Sequence, residues 1–118
     1  MTLDLRRGAV VTVRFDPSEG SEIRATRPAV VVSNEAACRF DAVVQVVPIT
    51  RLPDRELRPY ESRAESPGSG LAQPSRLVAN QIRTVSKQRL GGVLGRLDEA
   101  EQAALDRALA IQLALGPA

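Results

Sequence analysis

Arg27 and Thr50 each stand at the end of an apolar run. Arg27 immediately precedes Pro28-Ala29-Val30-Val31-Val32, and Thr50 closes Val46-Val47-Pro48-Ile49. A guanidinium is always charged and offers a planar fork of donors matched to phosphate oxygens. Held still at the mouth of a buried strand, such a fork stabilises charge developing on a phosphorane. A threonine hydroxyl at a strand end can donate to a phosphate oxygen or pass a proton. The polar segment Gly20-Ser21-Glu22 lies just upstream of Arg27. Its carboxylate, Glu22, can act as a general base if burial raises its pKa, or it can orient Arg27. Ser21 and the neighbouring amides can bind a phosphate or a base edge. The combination suits an anionic substrate such as a phosphodiester. Taken one at a time, spacing favours plainer readings: a surface arginine paired with Glu22 or Glu19, and a turn-forming threonine.

Asn80, Gln81 and Arg83 form a second polar cluster. Side-chain amides read the Watson-Crick edges of unstacked bases; residues in a turn or bulge are the alternative. Only Phe15, Phe40 and Tyr60 are aromatic, which argues against an aromatic platform for stacked bases. The chain has no histidine, and this removes Ser-His-Asp triads, the paired histidines of many ribonucleases and histidine-based zinc sites. A single cysteine, Cys38, allows no internal disulfide and no metal-ligand spacing, and reads as a small, partly buried hydrophobe.

The surroundings are those of one small domain spanning 1–118, with 43% hydrophobic and 25% charged residues. A core of this size is often completed by oligomerisation. The net charge of +2 hides an asymmetry: 15 Lys and Arg face 10 acids up to residue 97, whereas one Arg faces four acids beyond it. The basic surplus lies in the strand-and-loop part, where an anionic partner is plausible beside ordinary solvated arginine. No apolar run approaches a membrane span, and Met1 to Arg7 lacks the apolar stretch of a signal peptide, so the cytoplasm is the expected compartment.

Several elements must position these groups. Gly8 to Phe15 alternates and is β-branched, predicting a strand broken by Asp16-Pro17 and Gly20. Pro28 to Val32 reads as a strand buried on both faces, Asn34 to Cys38 as a short helical turn, and Ala42 to Ile49 as a third strand. The Pro-rich stretch 51–75 reads as a loop with one short strand near Glu56 to Glu61 and a flexible tip at Ser66 to Gly70. A strand is predicted over Leu77 to Val85 with a break near Asn80. A helical turn at Ser86 to Arg89 and a last strand at Gly92 to Leu97 follow. Asp98 with Glu101 three residues later predicts a capped helix, ended by Gly116-Pro117. Its wide apolar face, Ala104 to Leu115, packs on the sheet or contributes to a homodimer contact. Short strands, turn signals and one terminal helix indicate a small antiparallel barrel.

In order and spacing, these segments resemble the MazF/PemK family of toxin endoribonucleases. The resemblance rests on Arg7-Gly8, on Asp16-Pro17 with Gly20-Ser21-Glu22, on Arg27-Pro28 with the valines to Ser33, on Pro48-Ile49-Thr50, and on the run Gln81 to Leu90. It implies a mainly β, SH3-like, partly open antiparallel barrel with a C-terminal helix, acting as a homodimer. It implies cleavage of single-stranded RNA at short sequences without a metal or other cofactor, and a cognate MazE-like antitoxin whose disordered C-terminal part covers the RNA groove. The catalytic pair becomes Arg27 and Thr50, with Glu22 in the loop that closes over substrate. Gly20, Ser21, Ile23, Arg51, Asn80, Gln81 and Arg83 become the substrate-binding set. Ile23 departs from the usual Gln, Asn80 from a frequent acid, and Arg51 from a small or polar residue. Two other readings remain: a non-enzymatic gyrase poison of the related CcdB kind, and a degenerate member that binds RNA or antitoxin without cutting.

Overall fold

The computed structural model describes residues 5–116. Seven strands form one antiparallel sheet: β1 (Ala9–Arg14), β2 (Thr26–Val31), β3 (Val43–Arg51), β4 (Glu61–Ala64), β5 (Ser75–Val78), β6 (Arg83–Ser86) and β7 (Leu90–Arg96). The main path runs β4-β5-β3-β2-β1-β7, and β6 pairs with the first half of β3. A short helix, α1 (Glu35–Phe40), links β2 to β3, and α2 (Glu99–Leu113) closes the chain. This is the mainly β, partly open antiparallel architecture that the strand pattern predicts.

The uninterrupted valine runs reflect burial on both faces of the sheet. Val10, Val30, Val47, Ile49 and Leu77 pack with Leu105, Ala108 and Leu109 of α2. Their alternate neighbours Val11, Val13, Ala29, Val31, Val44 and Val46 point the other way, into a second core with Phe15, Cys38 and Val85. Period-two alternation thus feeds two cores from the same strands. Cys38 is buried in the second, where desolvation pushes its thiol pKa up against the opposing influence of Lys87.

Two expectations for the Pro-rich stretch need correction. The short strand lies at Glu61–Ala64 rather than near Glu56 to Glu61, because its pairing partner β5 sets the register from Glu61↔Val78 to Ala64↔Ser75. Ser66 to Gly70 is not a loose tip. Pro67–Ser69 is one turn of 3-10 helix, and Glu101 at the start of α2 holds its entrance. Glu101 Oε2 accepts from the amides of Glu65 (2.6 Å) and Ser66 (2.9 Å). The same residue completes the capping box with Asp98. At the exit of this turn Gly70 (φ +74°) sits so close to β7 that an added Cβ would lie 2.1 Å from the Leu94 carbonyl oxygen. Gly116-Pro117 does not stop α2. The helix ends at Leu113 with Ala114 in the left-handed region, and Pro117 lies outside the described residues.

Candidate active site

The β1–β2 connection carries Gly20, Ser21, Glu22 and Ile23, and long-range side-chain bonds fix its shape. The Asp16–Pro17 peptide is cis, and Gly20 takes a positive φ of 56°. Ser18 Oγ donates to the Phe15 carbonyl at 2.6 Å, which folds the start of the loop back on β1. Gln81, in the 3-10 turn between β5 and β6, reaches across to the loop. Its Nε2 donates to the Ser21 carbonyl (3.1 Å), and its Oε1 accepts from the Ile23 amide (3.4 Å).

Arg83 reinforces the same loop from β6. It donates to the Phe15 carbonyl (2.9 Å), Ser18 Oγ (3.0 Å) and the Pro17 carbonyl (3.3 Å). Its guanidinium also lies 5.7 Å from the Phe15 ring centroid, within cation–π range. Several of its donors are therefore bonded to the loop, so Arg83 shapes the wall it lines. Glu22 Oε2 is 3.9 Å from Arg83, and Glu22 Oε1 accepts from the Glu19 amide at 3.2 Å.

These groups enclose a cleft of about 180 Å³ lined by Phe15, Glu22, Ile23, Pro48, Asn80, Gln81, Ile82 and Arg83. Five residues expected at the site, Glu22, Ile23, Asn80, Gln81 and Arg83, are thus brought together from segments nearly 60 positions apart. Phe15, Pro48 and Ile82 complete the lining and were not singled out. Their apolar character reads as core in a sequence, and only the adjacency of Pro48 to Ile49-Thr50 hinted at a role.

Arg27 and Thr50 do not line the cleft. The β2–β3 register pairs Val31↔Val46, Val30↔Val47 and Ala29↔Pro48. The pairing ends at Ala29↔Pro48, and counting on in the same register along both strands puts Arg27 level with Thr50. Opposed residues share a face of the sheet, and that face also carries Pro48 in the cleft wall. Arg27 is exposed and Thr50 half-buried. Arg27 Nε donates to the Arg24 carbonyl at 2.9 Å, which orients the fork while its terminal nitrogens stay outside the hydrogen-bonded scaffold. Among the described residues no carboxylate pairs with Arg27. Glu22, a partner considered for it, turns toward Arg83 instead. Gly20, Ser21 and Arg51 are exposed around this site without lining the cleft. No group of three or more His, Cys, Asp or Glu that could hold a metal ion occurs among the described residues.

Comparison with known proteins converges on one family. The chain is similar to the endoribonuclease MazF9 of Mycobacterium tuberculosis, with 38% identity over 94% of this chain and 98% of that protein. Similarity to the endoribonuclease EndoA of Bacillus subtilis is 32% over 94% and 96% of the two chains. A mycobacterial endoribonuclease solved in complex with its cognate antitoxin superposes with a TM-score of 0.78 at 26% identity, covering 97% of this chain and 99% of that one. Residues 6–113, from the entrance of β1 to the end of α2, match a single family description, and by that match the chain belongs to the PemK-like, MazF-like toxins of type II toxin-antitoxin systems.

Proposed function

We propose that the protein is a toxin endoribonuclease that cleaves single-stranded RNA by transesterification. A ribose 2′-hydroxyl attacks the adjacent phosphorus while the bond to the 5′-oxygen of the next nucleotide breaks. The products are a 2′,3′-cyclic phosphate and a 5′-hydroxyl. Arg27 stabilises the charge on the phosphorane and protonates the leaving oxygen. Thr50 donates to a non-bridging oxygen and fixes the in-line geometry. Glu22, which the fold leaves exposed at the cleft edge rather than buried, takes the 2′-hydroxyl proton as general base or, where it only orients, leaves that proton to solvent water. Asn80, Gln81 and Ile23 contact the flanking base, with Ile23 offering an apolar surface there. Arg51, Gly20, Ser21 and Arg83 complete the substrate contacts, Arg83 mainly by shaping the loop.

What supports this most is the β2–β3 register, which counted on from Ala29↔Pro48 puts Arg27 level with Thr50, on the face that carries Pro48 into a cleft of about 180 Å³. A non-enzymatic poison has no need of that pairing. Charge in this scheme is borne by a guanidinium, so cleavage proceeds in EDTA. Incubation of purified protein with mixed-sequence RNA and EDTA, followed by analysis of fragment ends, tests the proposal. Discrete fragments with 5′-hydroxyl and cyclic phosphate ends are expected, and intact RNA across all short sequences overturns it.

The partner expected is a cognate antitoxin, since a related mycobacterial endoribonuclease was solved bound to one. A homodimer is supported by the apolar residues left exposed at the end of α2, Ile111 and Leu113, and by Leu115 just beyond it. No helix among the described residues is long and apolar enough to cross a membrane, and an mRNA substrate sets the working compartment as the cytoplasm.

A further inference from the structure

The sheet carries a buried carboxylate that the reaction above does not use. Glu61, at the start of β4, has its side chain 1% exposed. It accepts a bidentate fork from Arg55, Nη1 at 2.8 Å and Nη2 at 3.2 Å, and the Arg58 amide at 2.7 Å. Arg76 on β5 adds a further short contact to Glu61 Oε2 through its Nη1. Arg55 alone balances the carboxylate in charge; it and the Arg58 amide fill three of its lone-pair sites, and Arg76 takes the remaining one. Arg76 is therefore surplus to neutralising it, and the cluster keeps a net positive charge.

The position of that surplus charge is specific. The β3–β5 register pairs Thr50 with Arg76, and the β4–β5 register pairs Arg76 with Arg63. One row thus crosses three strands by direct pairing, Thr50, Arg76, Arg63, and the β2–β3 register, counted on from Ala29↔Pro48, extends it toward Arg27. Directly opposed residues point to the same face. Arg76 is held in place, its Nη1 on Glu61 and its Nε on the Arg51 carbonyl at 3.1 Å, while Nη2 has no partner among the described residues. Its side chain is 23% exposed, so the guanidinium is partly shielded yet reachable. Arg63 lies further out, with Nε 3.1 Å from Glu65. Neighbouring strands are roughly 4.8 Å apart, so the backbone of Arg76 lies about one strand spacing from that of Thr50. A partly shielded, pre-oriented guanidinium is a strong phosphate ligand.

We propose that Arg76, with Glu61 as its positioning residue, binds the RNA phosphate next to the scissile one, so that the substrate backbone crosses the strands along this row. The inference rests on the endoribonuclease reading. It assigns to this chain a phosphate subsite on β5, away from the loop and cleft.

The test uses an oligonucleotide spanning the mapped cleavage linkage, with each neighbouring phosphate in turn replaced by a neutral methylphosphonate. For the wild-type protein, neutralising one of the two neighbours is expected to raise KM about 10-fold or more, with a smaller effect on kcat. Arg76→Gln is expected to raise KM similarly on the natural linkage and to lose sensitivity to that replacement. It also lowers the slope of log Kd against log salt, for a non-cleavable analogue, by about 0.7. Arg76→Lys restores most of the affinity. If neither replacement affects the wild type, or if the penalties of Arg76→Gln and of the neutral linkage simply add, the subsite is overturned while the nuclease stands. The wild-type measurement requires no folded variant. RNA left uncut by the wild-type protein overturns the nuclease reading and this subsite together.

Discussion

The side-chain amide of Gln81 clamps the backbone around Ile23, accepting from the Ile23 amide while donating to the Ser21 carbonyl two residues earlier. A residue in a turn between β5 and β6 thus holds the loop that carries Glu22. Substituting Gln81→Ala frees the loop without touching either core, since one of the two hydrogen bonds is exposed and the other is 3.4 Å long. The expected outcome is roughly a 10-fold fall in kcat/KM with near-normal thermal stability, and faster hydrogen exchange confined to the Ser21–Ile23 amides. Uniformly faster exchange across the sheet would contradict this local role.

Arg27→Ala is expected to lower the cleavage rate by about 100- to 1,000-fold, as is usual for a preorganised donor. Thr50→Ala is expected to fall in the same range. Arg27 is exposed at a strand end, so its loss changes unfolding free energy by no more than about 0.5 kcal/mol. Because both groups act on one phosphate, the double variant is expected to lose much less than the product of the single losses. Single-turnover cleavage with matched urea unfolding curves checks both statements.

Acid sensitivity centres on Glu61. Burial alone would raise its pKa, but the hydrogen bonds from Arg55, the Arg58 amide and Arg76 outweigh that and lower it from 4.5 to about 2. A depressed folded-state pKa contributes stability that is complete above the unfolded value and disappears as pH falls through the folded one. Glu61→Gln leaves two guanidiniums without a counter-charge, at a cost of about 3 kcal/mol near neutral pH. The stability gap between wild type and variant is therefore expected to close as pH falls from about 5 toward 2. Unfolding midpoints across that range measure it, and a gap that is independent of pH would refute the assignment.

Glu101 joins α2 to the turn after β4. Burial tends to raise its pKa, and hydrogen bonds from Ser66 and the amides of Glu65, Asp98 and Ser66 lower it on balance. Glu101→Ala removes half of a capping box and both amide contacts, and is expected to cost about 2 kcal/mol, against about 1 kcal/mol for Asp98→Ala. Denaturant titration of the two variants compares them directly.

Ser62 presents the opposite case. Its buried hydroxyl has no hydrogen-bond partner among the described residues. Ser62→Ala is expected to be neutral or to stabilise by up to about 1 kcal/mol. A loss beyond that in thermal unfolding would reveal a bonded hydroxyl.

What the residues determined by themselves was local. The alternation from Gly8 to Phe15, the doubly apolar valine runs and the Asp98–Glu101 pair are short-range patterns, and β1, β2, β3 and the start of α2 follow them closely. The polar loop and the Asn80–Gln81–Arg83 cluster were also visible as candidates, because polar residues between apolar strands have few other uses. The tertiary structure decided how they are employed. Arg83 looked like a substrate contact, yet the nearby carbonyls of Phe15 and Pro17 claim several of its donors. Ser66 to Gly70 looked loose by composition, yet a carboxylate 35 positions away accepts from the amide and hydroxyl of Ser66 at its entrance. Arg76 and Glu61 drew no notice among so many scattered charges. Strand register alone brings Arg76 opposite Thr50, and register depends on which strands pair across long separations, a choice made by the burial of both sheet faces at once.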